Sequence, residues 1–136
     1  MRARRSWALV GAALSLACAA PGTPSEEPSV NDRPPYEVLE DTSTLAQRAG
    51  DRVALTGKIS DLPWQHLIDD VPSHPHADYF DVGRDQIVIY SREPIGETRA
   101  IRVEGTVRRV EGRSKGPSER RHTEHHLVVD GWTLAE

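Results

Sequence analysis

One cysteine stands in 136 residues. That excludes an internal disulfide, so the fold must rest on packing and hydrogen bonds alone. The sequence also lacks an apolar run of the ~20 residues needed to cross a bilayer; its longest such run, residues 7–17, is too short. No Gly-flanked Ser sits at a strand-to-helix turn and no phosphate-cradling Gly loop is present, which removes two common routes to catalysis. An excess of positive charge is missing too, because 17 Lys and Arg stand against 21 Asp and Glu, a formal charge of -4. General attraction to nucleic acid is therefore disfavoured. The nearest approach to an acid–base pair is Asp69-Asp70 beside His66, and adjacent carboxylates in a loop are more often simply solvated.

What is present begins with an address. Arg2, Arg4 and Arg5 precede the apolar run of residues 7–17, a basic start and short greasy stretch that reads as a secretory signal peptide over residues 1–17. Leu14-Ser15-Leu16-Ala17-Cys18 then resembles the lipobox of bacterial lipoproteins: Ala17 and Cys18 match, while Ser15 stands where that family usually has Leu. The resemblance implies a mature chain that starts at an acylated Cys18 (palmitate or a similar fatty acid) and is held to the membrane by its acyl chains. It also implies a place in the bacterial cell envelope, with Ala19 compatible with sorting to the outer membrane. Losing residues 1–17 removes three Arg and no acid, leaving 14 basic residues against 21 acidic ones. The acyl chains, not surface charge, would then do the holding.

Residues 19–35 carry Pro21, Pro24, Pro28, Pro34 and Pro35 among Ser, Thr, Glu and Asp, with Val30 almost the sole apolar side chain. Such a stretch cannot offset its chain entropy by burial, so residues 18–35 read as a tether and residues 36–136 as the domain. A chain of 136 residues with 37% hydrophobic residues over its full length has room for one small domain. Thr44 with Gln47 fits the capping-box spacing and Gly50 fits a helix end, so residues 44–49 are expected to form a turn or two of helix, or a loop.

Arg52-Val53-Ala54-Leu55-Thr56-Gly57-Lys58-Ile59 alternates strictly and is echoed by Ile101-Arg102-Val103-Glu104-Gly105-Thr106-Val107. Alternation puts Val53, Leu55, Ile59, Ile101, Val103 and Val107 on one buried face, and an inward Gly suits a sharply bent strand. Between the echoes, Pro63, Pro72 and Pro75 forbid a regular strand, yet Trp64, Leu67 and Ile68 ask for burial, so part of that loop is expected to fold back on the domain. Residues 77–82 and 86–91 read as a hairpin in which Val82 faces Ile87, Phe80 faces Ile89 and Tyr79 faces Tyr90. A strand over residues 100–110, a polar loop, and a last strand over residues 122–134 complete the pattern. Leu127 and Val129 share a face that Trp132 and Leu134 leave by parity, so Asp130-Gly131 should hold a bulge that turns them back inward. Five strands without a long helix, with long loops after the first and fourth, resemble the OB-fold over residues 52–135. The resemblance rests on strand order and on Gly57 and Gly105, and it implies an all-β five-stranded barrel.

Six His are generous for this length. His66, His74 and His76 lie in the loop after the first strand and His122, His125 and His126 near the loop after the fourth, two loops that flank the binding face of an OB-fold. His74, His76, His122 and His126 are therefore candidate Zn²⁺ or Cu²⁺ ligands, with Asp69, Asp70 or Asp78 to complete a site, against the plainer reading of solvated loop imidazoles. Trp64, Tyr79 and Tyr90 form a candidate contact patch on the outer face, where OB-folds stack bases or sugars. Arg108, Arg109, Arg113, Lys115, Arg120 and Arg121 would serve a nucleic acid, but an exported acidic protein argues against that partner. The expectation is a non-enzymatic, lipid-anchored module presenting an OB-like surface to a protein or small-molecule partner. A metal-handling envelope protein and an enzyme of unknown reaction are the alternatives.

Overall fold

The computed structural model describes residues 35–113 and 120–136. The signal segment, Cys18, nearly all of the proline-rich stretch and Lys115 lie outside the described residues. The described chain is all-β, built from β1 (Glu37–Val38), β2 (Arg52–Ile59), β3 (His76–Val82), β4 (Asp85–Ser91), β5 (Ile101–Arg113) and β6 (Arg121–Leu134). They form one mixed sheet in the order β1-β2-β3-β4-β6-β5, and an additional β2–β5 pairing closes the last five into a ring. The sixth strand, the short β1, is absent from the five expected; it pairs parallel to the start of β2, Glu37 opposite Val53.

The two echoing segments are partners. β2 and β5 run antiparallel with Val53 opposite Gly105, Leu55 opposite Val103 and Gly57 opposite Ile101. Val53, Leu55, Ile101, Val103 and Val107 are buried, as alternation requires, and join Phe80, Val82, Ile87, Ile89, Leu127 and Val129 in the main core. Each glycine sits where another backbone crosses. At Gly57, β2 passes from β5 to β3, and a Cβ there would lie 2.1 Å from the carbonyl oxygen of Asp81. A Cβ on Gly105 would lie 2.1 Å from the carbonyl oxygen of Val128. The two bends therefore need the missing side chain.

Gly105 also adjoins the bulge. Glu104 pairs with Gly131 and Gly105 with Val129, which leaves Asp130 as the extra residue on β6. The bulge falls where parity demanded one, but it does not bury the end of the strand: Trp132 and Leu134 are 42% and 45% exposed.

The hairpin register differs from the sequence expectation. Val82 pairs with Asp85, Phe80 with Ile87, Tyr79 with Val88 and Ala77 with Tyr90. Gly83-Arg84 is the connection, and Gly83 at φ 63 supplies the left-handed residue that a two-residue turn needs. The tighter turn shifts every pairing by two residues. Asp85 loses nothing by facing Val82, because it is exposed and accepts a hydrogen bond from Thr42 Oγ1 at 2.7 Å.

Residues 44–49 contain only a short 3-10 turn, Leu45–Gln47, and Thr44 makes no side-chain cap bond. The turn serves to insert Leu45, 3% exposed, into the main core. Among the described residues no helix is long and apolar enough to cross a membrane.

The β4 strand is buried on both faces, from Gln86 to Ser91. Its inner residues Ile87 and Ile89 belong to the main core, while Val88 and Tyr90 form a second cluster with Val71, Tyr79 and Val128. Val71 comes from the proline-interrupted segment between β2 and β3, which folds over the outer face of the sheet. That segment does return to the domain, but with Leu67 and Val71 inward; Trp64 and Ile68, expected to be buried, are 58% and 54% exposed.

Candidate functional site

The parallel pairing of β4 and β6 sets Tyr90 opposite Val128, and the antiparallel pairing of β5 and β6 sets Arg108 opposite His126. Residues two apart on a strand share a face, so Glu124, His126 and Val128 line up beside Tyr90 under the covering loop. A continuous polar chain results. The Asp69 backbone N–H donates to the Tyr90 hydroxyl at 2.9 Å, which lies 2.8 Å from His126 Nδ1. His126 Nε2 lies 2.9 Å from Glu124 Oε2, and His66 Nδ1 meets the same oxygen at 3.0 Å. The Leu67 backbone N–H also donates to the Glu124 carboxylate, at 3.2 Å.

The proton positions follow from the partners. An ionised Glu124 can only accept, so His126 Nε2 carries the hydrogen, Nδ1 is bare, and the Tyr90 hydroxyl donates to it. Partial burial of Glu124 would raise its pKa, but the donors His126, the Leu67 N–H and His66 outweigh that and hold it below the usual carboxylate range. Burial lowers the His126 pKa, against the opposing pull of Glu124, and keeps the ring neutral. Burial also raises the pKa of Tyr90. Asp69 is held low chiefly by Arg108, whose Nε and a terminal nitrogen reach its Oδ2 at 2.7 and 2.6 Å.

The order Tyr, His, Glu looks like a relay that could activate a nucleophile, but Tyr90 is 1% exposed and its oxygen already accepts from Asp69. The arrangement fastens a loop to a sheet. His66 and Glu124 form its outer end and border a groove of about 340 Å³. The groove runs between the Leu45 turn, Gln65 and His66 of the loop, the start of β4 at Gln86, and Thr123 and His125 of β6. Gln86 is saturated: its Oε1 accepts from the Trp64 N–H at 2.7 Å, and the two hydrogens of its Nε2 serve Asp81 and Ser60 at 2.7 and 2.8 Å, with the Leu62 carbonyl sharing one of them at 3.1 Å. His66 Nε2 is buried without a partner among the described residues.

The expected contact patch does not form one surface. Tyr90 is buried, Tyr79 is half-buried against the second cluster and 5.7 Å from the His66 ring, and only Trp64 is well exposed. The reason is the loop, which occupies the outer face on which the two Tyr were expected to lie open. The four candidate metal ligands are likewise spread among separate roles. His126 sits in the polar chain, buried His74 has its Nδ1 2.8 Å from Ser73 Oγ, His76 lies beside Asp78, and His122 is exposed on β6. Among the described residues no group of three or more His, Cys, Asp or Glu is placed to hold a metal ion. Asp69 pairs with Arg108 instead of His66, and Asp70 is exposed. Asp78 is partly buried, which raises its pKa.

Glu124 is the residue that sequence reading missed. Its signal was available in His122-Thr123-Glu124-His125-His126, where period-two spacing puts an acid on the same face as a buried His. No known protein family and no curated protein matches this sequence.

Proposed function

We propose that this protein is a lipid-anchored, non-enzymatic component of the bacterial cell envelope whose domain is an OB-like binding module for a small polar ligand. Anchoring at Cys18 is supported by the basic start, the short apolar run and the Ala17-Cys18 pair in the sequence. The OB-like reading is supported by the closed run β2, β3, β4, β6, β5, by the parallel pairing of β4 with β6 and by the two glycine bends. The observation that carries the binding role is the groove beside His66 and Glu124, where Gln65, Thr123 and His125 offer donors and acceptors around an apolar floor of Leu45 and Ile87. A few convergent polar groups over an apolar base suit a small molecule better than a flat protein partner. Against catalysis stand the buried Tyr90 and a polar chain from Asp69 to Glu124 whose members pair with one another within the fold.

Two measurements test this. Cys18→Ser should move the protein from the membrane to the soluble envelope fraction and abolish incorporation of labelled palmitate; unchanged fractionation would sink the anchoring claim. For the groove, NMR spectra of the ¹⁵N-labelled chain with sugars, amino acids or nucleotides added one class at a time should shift the resonances of Thr123, His125 and Gln65 for one class. Shifts confined to other surfaces would remove the groove as the site.

A further inference from the structure

The loop between β2 and β3 carries apolar side chains that the fold leaves uncovered. Among the described residues six large hydrophobic side chains are exposed, and Leu62, Trp64 and Ile68, at 76%, 58% and 54%, fall within residues 62–68. The same stretch is fastened from beneath. The Trp64 N–H is held by Gln86, the Leu67 N–H by Glu124 and the Asp69 N–H by Tyr90, while Arg108 grips the Asp69 carboxylate. The Leu67 side chain packs against Gly112, where a Cβ would lie 2.5 Å from Leu67 Cδ2. With these three backbone donors already satisfied toward the sheet, the three apolar side chains can enter a greasy layer without stranding them.

We propose that Leu62, Trp64 and Ile68 rest in the interfacial layer of the membrane to which the chain is anchored. The inference rests on the lipid anchor proposed above. Residues 19–35 separate Cys18 from the start of the domain, and a chain of that length spans at most about 60 Å. A domain of ~100 residues has a radius of gyration of about 13 Å, so the leash holds the domain within roughly two diameters of the bilayer. Trp is the side chain best suited to that depth, with Leu and Ile reaching below it. The stretch from Ser60 to His76 contains no Lys or Arg and includes Asp61, Asp69 and Asp70. Contact is therefore apolar and selects a zwitterionic surface rather than an anionic one.

The test supplies the anchor chemically, so it is independent of whether cells acylate Cys18. The chain begun at Cys18 keeps the whole compact unit Pro34–Glu136 and lacks Trp7. With Trp132→Phe it has Trp64 as its only tryptophan, and its only thiol can be coupled to a maleimide headgroup in phosphatidylcholine vesicles with brominated acyl chains. Trp64 emission should shift to the blue and fall at least twofold relative to the uncoupled protein. The companion Trp64→Phe chain, reporting from Trp132, should show no quenching. Adding Leu62→Asp and Ile68→Asp should abolish the Trp64 effect while circular dichroism stays unchanged. Equal quenching at both Trp, or Trp64 emission unchanged by coupling, would overturn the proposal. A Cys18→Ser protein that still fractionates with membranes would instead strike at the anchor, a separately visible failure.

Discussion

Tyr90 of β4 and His126 of β6 are joined by a 2.8 Å hydrogen bond, and each residue is only 1% exposed. The bond links two parallel-paired strands at the level where the covering loop lands, because the Tyr90 oxygen also accepts from the Asp69 N–H. Tyr90→Phe keeps the ring packing with Val71 and Val88 but leaves His126 Nδ1 and the Asp69 N–H without their partner. Leaving buried polar groups unpaired costs about 1–3 kcal/mol. Urea unfolding of the Tyr90→Phe protein should show a loss of that size with an unchanged m-value. A loss near zero would mean that the Tyr90 hydroxyl contributes nothing net.

The polar chain also sets a pH dependence whose two parts share a sign. His126 has a folded pKa lowered from 6.5 by burial, so the unfolded chain takes up its proton first. Its contribution is complete above 6.5 and is lost as pH falls through the lowered folded value. Glu124 has a folded pKa lowered from 4.5, so its contribution is complete above 4.5 and is lost as pH falls through its own folded value. Thermal melts should therefore be flat from pH 8 to about 7 and fall progressively below 6.5. His126→Phe should abolish the first step of that fall and also weaken the Glu124 step, because it removes the largest of the donors that hold Glu124 low. Asp78, whose pKa is raised by burial, works in the opposite sense in the carboxylate range. The deciding window is therefore the histidine one: a melting temperature that rises between about pH 7 and 6 would contradict the His126 assignment.

The echo between Gly57 and Gly105 gives a sharper test of why the strands bend. Gly57→Ala and Gly105→Ala each drive a methyl into a neighbouring carbonyl at 2.1 Å, and backbone cannot swing away as a side-chain tip can. Overpacking of this kind costs about 1–3 kcal/mol or more. Gly131→Ala, on the same sheet with nothing within 4 Å of its added Cβ, should stay within about 0.5 kcal/mol of the parent by chemical denaturation. Equal effects at all three would show that the close approaches relax freely.

Those glycines also mark how far the sequence could be read. Alternation at Val53, Leu55, Val103 and Val107 specified the buried face, because a half-buried strand cannot slip by one residue without exposing its core set. The bulge at Asp130 followed from the same parity. The hairpin register did not, since Val82 opposite Ile87 and Val82 opposite Asp85 keep the same faces and differ only in turn length. The covering loop hid the site. Its prolines announced irregular backbone, but nothing local says that Leu67 turns inward while Trp64 and Ile68 turn out, which is decided by Gly112, Glu124 and Gln86 far along the chain. Tyr79 and Tyr90 looked like an open patch for that reason.

Glu124 is where the loop, the groove and the buried chain meet, and its replacement separates charge from shape. Three donors converge on its carboxylate, from His126 Nε2, His66 Nδ1 and the Leu67 N–H. Glu124→Gln preserves volume but offers one oxygen, and its amide nitrogen would point a hydrogen at a donor. Either His126 changes tautomer, which sets Nδ1–H against the Tyr90 hydroxyl, or one donor is left unpaired. The variant should lose about 1–3 kcal/mol, and the loss should appear first in the loop. Amide hydrogen exchange at Leu67 and Asp69 should accelerate more than at Val103 or Val107, whose strands pair independently of the loop. Uniform acceleration across β5 would instead mean that Glu124 supports the ring as a whole, and unchanged exchange at Leu67 would mean that the loop is held by its apolar contacts alone.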